Sequence, residues 1–328
     1  MNNSPIKYVL RLLGLVAVML FISFAVLKII LPQIAEPKVF KIVSTPDVME
    51  RGEYLFNSVL GCPVCHSERD WSAIGAPPMP PIGAGRSCRE SDQSPLGLAE
   101  GGGFPGTICF RNITSDDATG VGEWTDGELM RAIREGIDRD DNAMFPIMPY
   151  FIYAALSDAD TKAVIAYLRT LPPVDHPLPE TDINFPVGLA ISLIPMPVRD
   201  VVNHPDQADG IKYGEYLAKV ARCQFCHTRR NSRNRLPDMA YEFSGGVKFQ
   251  GREGYFYSTN LTPHETGLGD VSLEEFIQLF RRKPGQATGE IDIMPWANFS
   301  GMTDADLGAI YGYLQSLPPK PTGGIEEL

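Results

Sequence analysis

Cys62-Pro63-Val64-Cys65-His66 and Cys223-Gln224-Phe225-Cys226-His227 decide how this chain is read. Two thiols three positions apart on a helical turn face the same side, and the adjacent imidazole can swing beneath whatever they hold. This is the spacing of c-type haem attachment, in which the thiols reach two vinyl groups at one edge of the porphyrin and the histidine binds the iron from one face. A single Cys-x-x-Cys would also suit a zinc half-site or a redox dithiol. Two copies of the five-residue pattern favour haem. They predict two covalently attached haems c, one on Cys62, Cys65 and His66, the other on Cys223, Cys226 and His227.

The surroundings of the motifs repeat as well. Gly52-Glu53-Tyr54-Leu55 precedes the first motif and Gly214-Glu215-Tyr216-Leu217 the second. Asn112-Ile113-Thr114 matches Asn260-Leu261-Thr262, and Thr119-Gly120-Val121-Gly122 matches Thr266-Gly267-Leu268-Gly269. The stretch from Met148-Pro149-Tyr150 to Leu171-Pro172-Pro173 aligns without a gap on Met294-Pro295-Trp296 to Leu317-Pro318-Pro319. The chain therefore reads as one unit present twice.

Within each copy the local signals are helical. Thr125-x-x-Glu128 and Ser272-x-x-Glu275 are capping boxes, in which the hydroxyl and the carboxylate satisfy each other's backbone N–H groups at a helix start. Leu129, Ile133 and Ile137 then fall on one face. Ser157-x-x-Asp160 and Thr303-x-x-Asp306 open a last helix with apolar stripes at Val164, Leu168, Leu171 and at Ile310, Leu314, Leu317. No stretch alternates long enough to predict a sheet, so the expected fold is all-α.

An iron held by histidine on one face needs a ligand or an open position on the other, and that choice largely separates electron transfer from catalysis. Met79, Met130, Met144 and Met148 are the candidates in the first copy, Met239, Met294 and Met302 in the second. Only Met148 and Met294 are equivalent, each in Ile-Met-Pro-aromatic before the last helix, where the proline stiffens the loop carrying the sulfur. The expected iron ligands are His66 with Met148 and His227 with Met294. His176, His204 and His264 fall in the segment between the copies or in a loop without a counterpart, and read as ordinary surface or loop histidines.

The rest of the chain sets the context. An apolar run from Leu12 to Leu31, broken by Lys28, would span about 30 Å as a helix, enough to cross a bilayer. A cleaved signal peptide ending near Ser23-Phe24-Ala25 is the rival reading. The 328 residues carry 29 Lys and Arg against 40 Asp and Glu, a net charge of −11, with no basic patch, so nucleic acid is not an expected partner. Cys88 and Cys109 sit in the Gly-rich loop of the first copy at no metal-ligand spacing; in an oxidising compartment a Cys88–Cys109 disulfide is the favoured reading, two separate thiols the other. The expected organisation is a transmembrane anchor over 1–35, a first domain over 36–173, a linker over 174–207 packed between the domains, and a second domain over 208–328.

With these motifs the chain resembles the class I cytochrome c fold, and more narrowly the cytochrome c subunits of membrane-bound bacterial alcohol and gluconate dehydrogenases. Cys-x-x-Cys-His, Asn-Ile-Thr, Thr-Gly-Val-Gly, Met-Pro-Tyr and the closing Leu-Pro-Pro carry the resemblance across residues 45–320. Such subunits typically have three haem domains, against two motifs here. The N-terminal anchor is a second departure from the family; the residues and the resemblance together lead to an N-terminal transmembrane helix followed by two tandem class I cytochrome c domains, with no catalytic residues. The resemblance also implies a membrane-anchored relay that takes electrons from a dehydrogenase or quinol-oxidising partner and passes them to a downstream acceptor or terminal oxidase. Haem of this type is attached outside the bacterial inner membrane, so a single-pass protein with its haem domains on the periplasmic side is expected. The alternative is a dihaem redox enzyme of peroxidase or thiosulfate-oxidising type, with one displaceable axial ligand.

Overall fold

The computed structural model describes residues 5–30, 34–73, 75–89, 104–231, 237–250, 255–281 and 294–323. Leu31, where the expected apolar run ends, and residues 324–328 of the expected second domain lie outside them. Helix α1 (Pro5–Ile30) opens the described chain, and its Lys7–Val26 window is long and apolar enough to cross a membrane, with none of it buried against the rest of the molecule.

The two copies fold on one plan. In the first, α2 (Pro46–Tyr54) is capped by the Thr45 hydroxyl, which accepts the Val48 N–H, and continues as a π-helical turn over Leu55–Val59. Helix α3 (Cys62–His66), strands β1 (Arg86–Arg89) and β2 (Gly106–Phe110), and helices α4 (Asp126–Glu135), α5 (Tyr150–Tyr153) and α6 (Asp158–Leu168) follow. Strand β3 (Asp182–Ile183) and α7 (Val187–Ile191) lie in the connecting segment. The second copy supplies α8 (Gly210–Val220), α9 (Cys223–His227), β4 (Lys248–Gln250), β5 (Tyr255–Tyr257), α10 (Leu273–Phe280), α11 (Trp296–Phe299) and α12 (Asp304–Gln315). Both expected capping boxes form, and Ser157 and Thr303 cap α6 and α12.

In each copy the helix before the haem motif crosses the last helix at a glycine. A Cβ on Gly52 would come within 2.0 Å of the Ala163 carbonyl oxygen, and one on Gly214 within 1.9 Å of that of Ala309. The two backbones therefore approach closer than any side chain allows. This brings Leu55, Phe56, Val59, Val164 and Ile165 together in the first copy and Leu217, Val220, Leu307 and Leu314 in the second, all buried in one continuous cluster. The stripe residues Leu129, Ile137, Val164, Leu168, Leu171, Ile310 and Leu314 are buried as their spacing predicts.

The all-α expectation needs correction. Helices dominate, but β1, β2 and β3 form a small antiparallel sheet and β4 pairs with β5, setting Phe249 opposite Phe256. These strands have two to five residues, too short for an alternating pattern to register in sequence. The β1–β2 and β4–β5 pairs occupy the same place in the two copies, between the haem motif and the Asn-x-Thr stretch, while β3 joins from the connecting segment. Cys88 and Cys109, on β1 and β2, are joined by a disulfide in the structure.

The connecting segment packs along the first copy more than between the two. Strand β3 completes the β2 edge, the Thr181 hydroxyl accepts the Cys109 N–H at 3.1 Å, and Asp158 and Val202 pair their backbones at 2.9 Å. The unpaired edge of β2 is what draws the segment to this side. It meets the second copy at His204, whose ring lies 5.6 and 5.5 Å from those of Tyr213 and Tyr216.

Candidate functional site

Each Cys-x-x-Cys-His segment forms one short helix that starts from a residue in the left-handed region, Gly61 (φ 60°) before α3 and Arg222 (φ 65°) before α9. That reversal turns the chain from the preceding helix into the motif. Behind each motif a loop returns to hold the histidine. His66 Nδ1 donates to the Arg111 carbonyl at 2.8 Å and His227 Nδ1 to the Thr259 carbonyl at 2.8 Å. Since a carbonyl only accepts, the proton sits on Nδ1 in both rings, leaving Nε2 as the lone-pair nitrogen available to a metal. The backbones close the same way, with Gly85 N–H on the His66 carbonyl (2.9 Å) and Gly245 N–H on that of His227 (2.8 Å).

Asn112 and Asn260, next to these acceptor carbonyls, explain why the Asn-x-Thr stretch recurs. The Asn112 carboxamide oxygen accepts from the Thr114 N–H (2.9 Å) and hydroxyl (2.7 Å), while its amide group donates to Thr119 and to the Val174 carbonyl. Asn260 does the same with Thr262, Thr266 and the Lys320 carbonyl. All four hydrogen-bonding positions of a buried amide are used, and this fixes the carbonyl that orients each histidine.

Burial pushes the Cys62 and Cys223 thiols up to about 12 and raises that of Cys226. A dithiol working in exchange chemistry needs the opposite, a stabilised thiolate. Burial likewise lowers both His66 and His227, so each imidazole is neutral, as a metal ligand must be. Among the described residues no group of three or more His, Cys, Asp and Glu side chains is placed to hold a bare metal ion.

Met148 and Met294 are half-buried and pack on the same core cluster as Cys62 and Cys223. Their loops match: the Met148 carbonyl accepts from the Tyr150 N–H at 2.8 Å and that of Met294 from the Trp296 N–H at 2.7 Å. Of the competing methionines, Met130 and Met302 are buried as core, Met144 is half-buried, and Met79 and Met239 are at the surface. The other histidines are engaged elsewhere. His176 Nδ1 meets the Ala84 carbonyl at 2.7 Å, His204 lies 3.6 Å from Asp160, and His264 Nδ1 is 3.0 Å from the Thr266 hydroxyl.

These residues fit a haem. Paired thiols lie on one turn beside an oriented imidazole, on an apolar floor that includes a methionine. Arg86, buried beside the first motif, reaches the Val64 carbonyl at 3.4 Å while its Nε has no protein partner, which suits a ligand bearing carboxylates, as haem does. Sequence reasoning did not single out Arg86, nor Arg222, which stands immediately before Cys223 where Gly61 stands before Cys62.

No protein-family model matches the chain. It is similar to the fructose dehydrogenase cytochrome subunit of Gluconobacter japonicus, 31% identical over 67% of this chain and 46% of that one. It is also similar to the gluconate 2-dehydrogenase cytochrome c subunit of Pantoea cypripedii, 28% identical over 83% of this chain and 60% of that one. The chain thus spans between 46% and 60% of these longer relatives. A dihaem c-type cytochrome of Cereibacter sphaeroides is 30% identical over 65% of this chain and 72% of its own length. On that similarity, and with two Cys-x-x-Cys-His segments, the chain belongs to the family of c-type cytochromes that includes the cytochrome c subunits of these bacterial dehydrogenases.

Proposed function

We propose that this chain is a membrane-anchored dihaem cytochrome c that takes electrons from a dehydrogenase and delivers them to a downstream acceptor or terminal oxidase. The observation that carries the reading is the twofold occurrence of one constellation: Cys-x-x-Cys-His on a short helix, histidine Nδ1 on a backbone carbonyl at 2.8 Å, and a Met-Pro loop on the same core. In this reading Cys62 and Cys65, and Cys223 and Cys226, tether the two porphyrins, while His66 with Met148 and His227 with Met294 ligate the irons. Haem supplies the one-electron chemistry when bound. The chain's own residues set its conditions: the Arg111 and Thr259 carbonyls aim the histidines, the thioethers favour the reduced state, and the apolar core excludes water. Two tandem domains over 36–173 and 208–328 carry the sites, α1 anchors them, and they face the periplasm.

The test is to produce the chain in a host that attaches haem c, extract it from membranes, and measure haem per polypeptide by intact mass. Two haems, no carbon monoxide adduct on the reduced protein, and co-purification with a dehydrogenase are expected. A single haem or none would overturn the dihaem reading, and ready carbon monoxide binding would favour a dihaem enzyme with one displaceable ligand.

A further inference from the structure

The junction between the two motifs holds a residue that neither site requires. Arg222 immediately precedes Cys223, and its guanidinium crosses to the other copy, where Nη2 donates to the Leu60 carbonyl at 2.8 Å. Leu60 stands two residues before Cys62, and its carbonyl also faces the Tyr153 hydroxyl at 3.3 Å. A Cβ built on Gly61 would lie 3.7 Å from Arg222 Nη2, so the cation rests against the start of the first motif while its own backbone starts the second.

The backbone of Arg222 makes this placement costly. It sits at φ 65°, where its counterpart is Gly61 at φ 60°. Glycine occupies that region freely, whereas a side chain there is strained. Strain of this kind persists where the surrounding structure makes use of it. Among the described residues no carboxylate pairs with Arg222.

We infer that Arg222 is a positioning residue shared by the two haem sites, whose fixed positive charge raises the reduction potentials of both and whose bond to Leu60 holds the two attachment segments together. The inference rests on the dihaem reading. With haem bound at the two motifs, a permanent cation near them would disfavour the more positive ferric state, and its half-buried position would screen it less than open water does. Being an arginine, it keeps that charge at every physiological pH.

The experiment is a spectroscopic redox titration of the holoprotein and of Arg222→Gly and Arg222→Lys, with haem per chain measured by mass for each. Glycine relieves the backbone strain and removes the charge; lysine keeps the charge and loses the planar fork. Both potentials should fall in Arg222→Gly, and Arg222→Lys should stay near the parent. Unchanged potentials in Arg222→Gly, a fall at one haem only, or an equal fall in Arg222→Lys would overturn the inference. A parent protein without two haems would instead remove the reading beneath it.

Discussion

The Tyr54 hydroxyl donates to Asp306 Oδ2 at 2.6 Å, joining the helix before the first haem motif to the start of the last helix of the other copy. Its counterpart Tyr216 donates to Asp160 Oδ2, also at 2.6 Å, and each hydroxyl accepts a backbone N–H at 3.2 Å, from Thr303 and Ser157 respectively. The copies thus exchange equivalent bonds, as the halves of a twofold dimer do. Asp160 is held further by Arg51, which reaches both carboxylate oxygens at 2.9 Å. These bonds make the copies one body around the Leu60–Arg222 junction. Tyr54→Phe and Tyr216→Phe should each cost roughly 1.5 to 3 kcal/mol, because a buried carboxylate loses a donor. Urea unfolding measures it, and a cost near zero for both would show that the exchange contributes little.

Replacement of the methionines tests the axial ligands. Met148→Ala and Met294→Ala should each lower the potential of one haem and leave the other nearly unchanged, by a share of the roughly 0.8 V that axial ligation commands. Redox titration reads this directly. If neither substitution moves a potential, the sulfurs are not ligands.

The Cys88–Cys109 bond joins β1 to β2 across a sequence separation of 21. The folded protein should gain the mass of two hydrogens on reduction. Cys88→Ser with Cys109→Ser should destabilise the first copy by about 3 kcal/mol. An intact mass unaffected by reductant means two separate thiols.

Asp158 ties the connecting segment to α4. Burial works to raise its pKa, but Arg134 Nη1 at 2.6 Å and the Val202 N–H at 3.2 Å outweigh this and hold the carboxyl below its usual value. A depressed carboxylate adds stability that is complete above the unfolded-state value, about 3.9, and is lost as pH falls through the lower folded-state value. Asp158→Asn should cost roughly 2 to 4 kcal/mol at neutral pH, since it leaves the buried Arg134 without its anionic partner. The gap between variant and parent should close on acidification below about pH 4, as followed by thermal melts. A gap that does not vary with pH would mean that the charge is not what holds the segment.

What the sequence determined by itself is local chemistry. The haem motifs, the four helix caps and the Met-Pro loops are each written within five consecutive residues, and duplication made every one of them legible twice. The positions of His66, His227, Met148 and Met294 could therefore be named before any fold was known. The tertiary structure alone decided what joins distant residues: Tyr54 to Asp306 across 252 positions, Arg222 to Leu60 across 162, and β3 to β2 across the connecting segment. Such bonds form only after burial has brought the backbones together. No periodicity records them, because each depends on where the whole helix lands and not on which residues lie beside it.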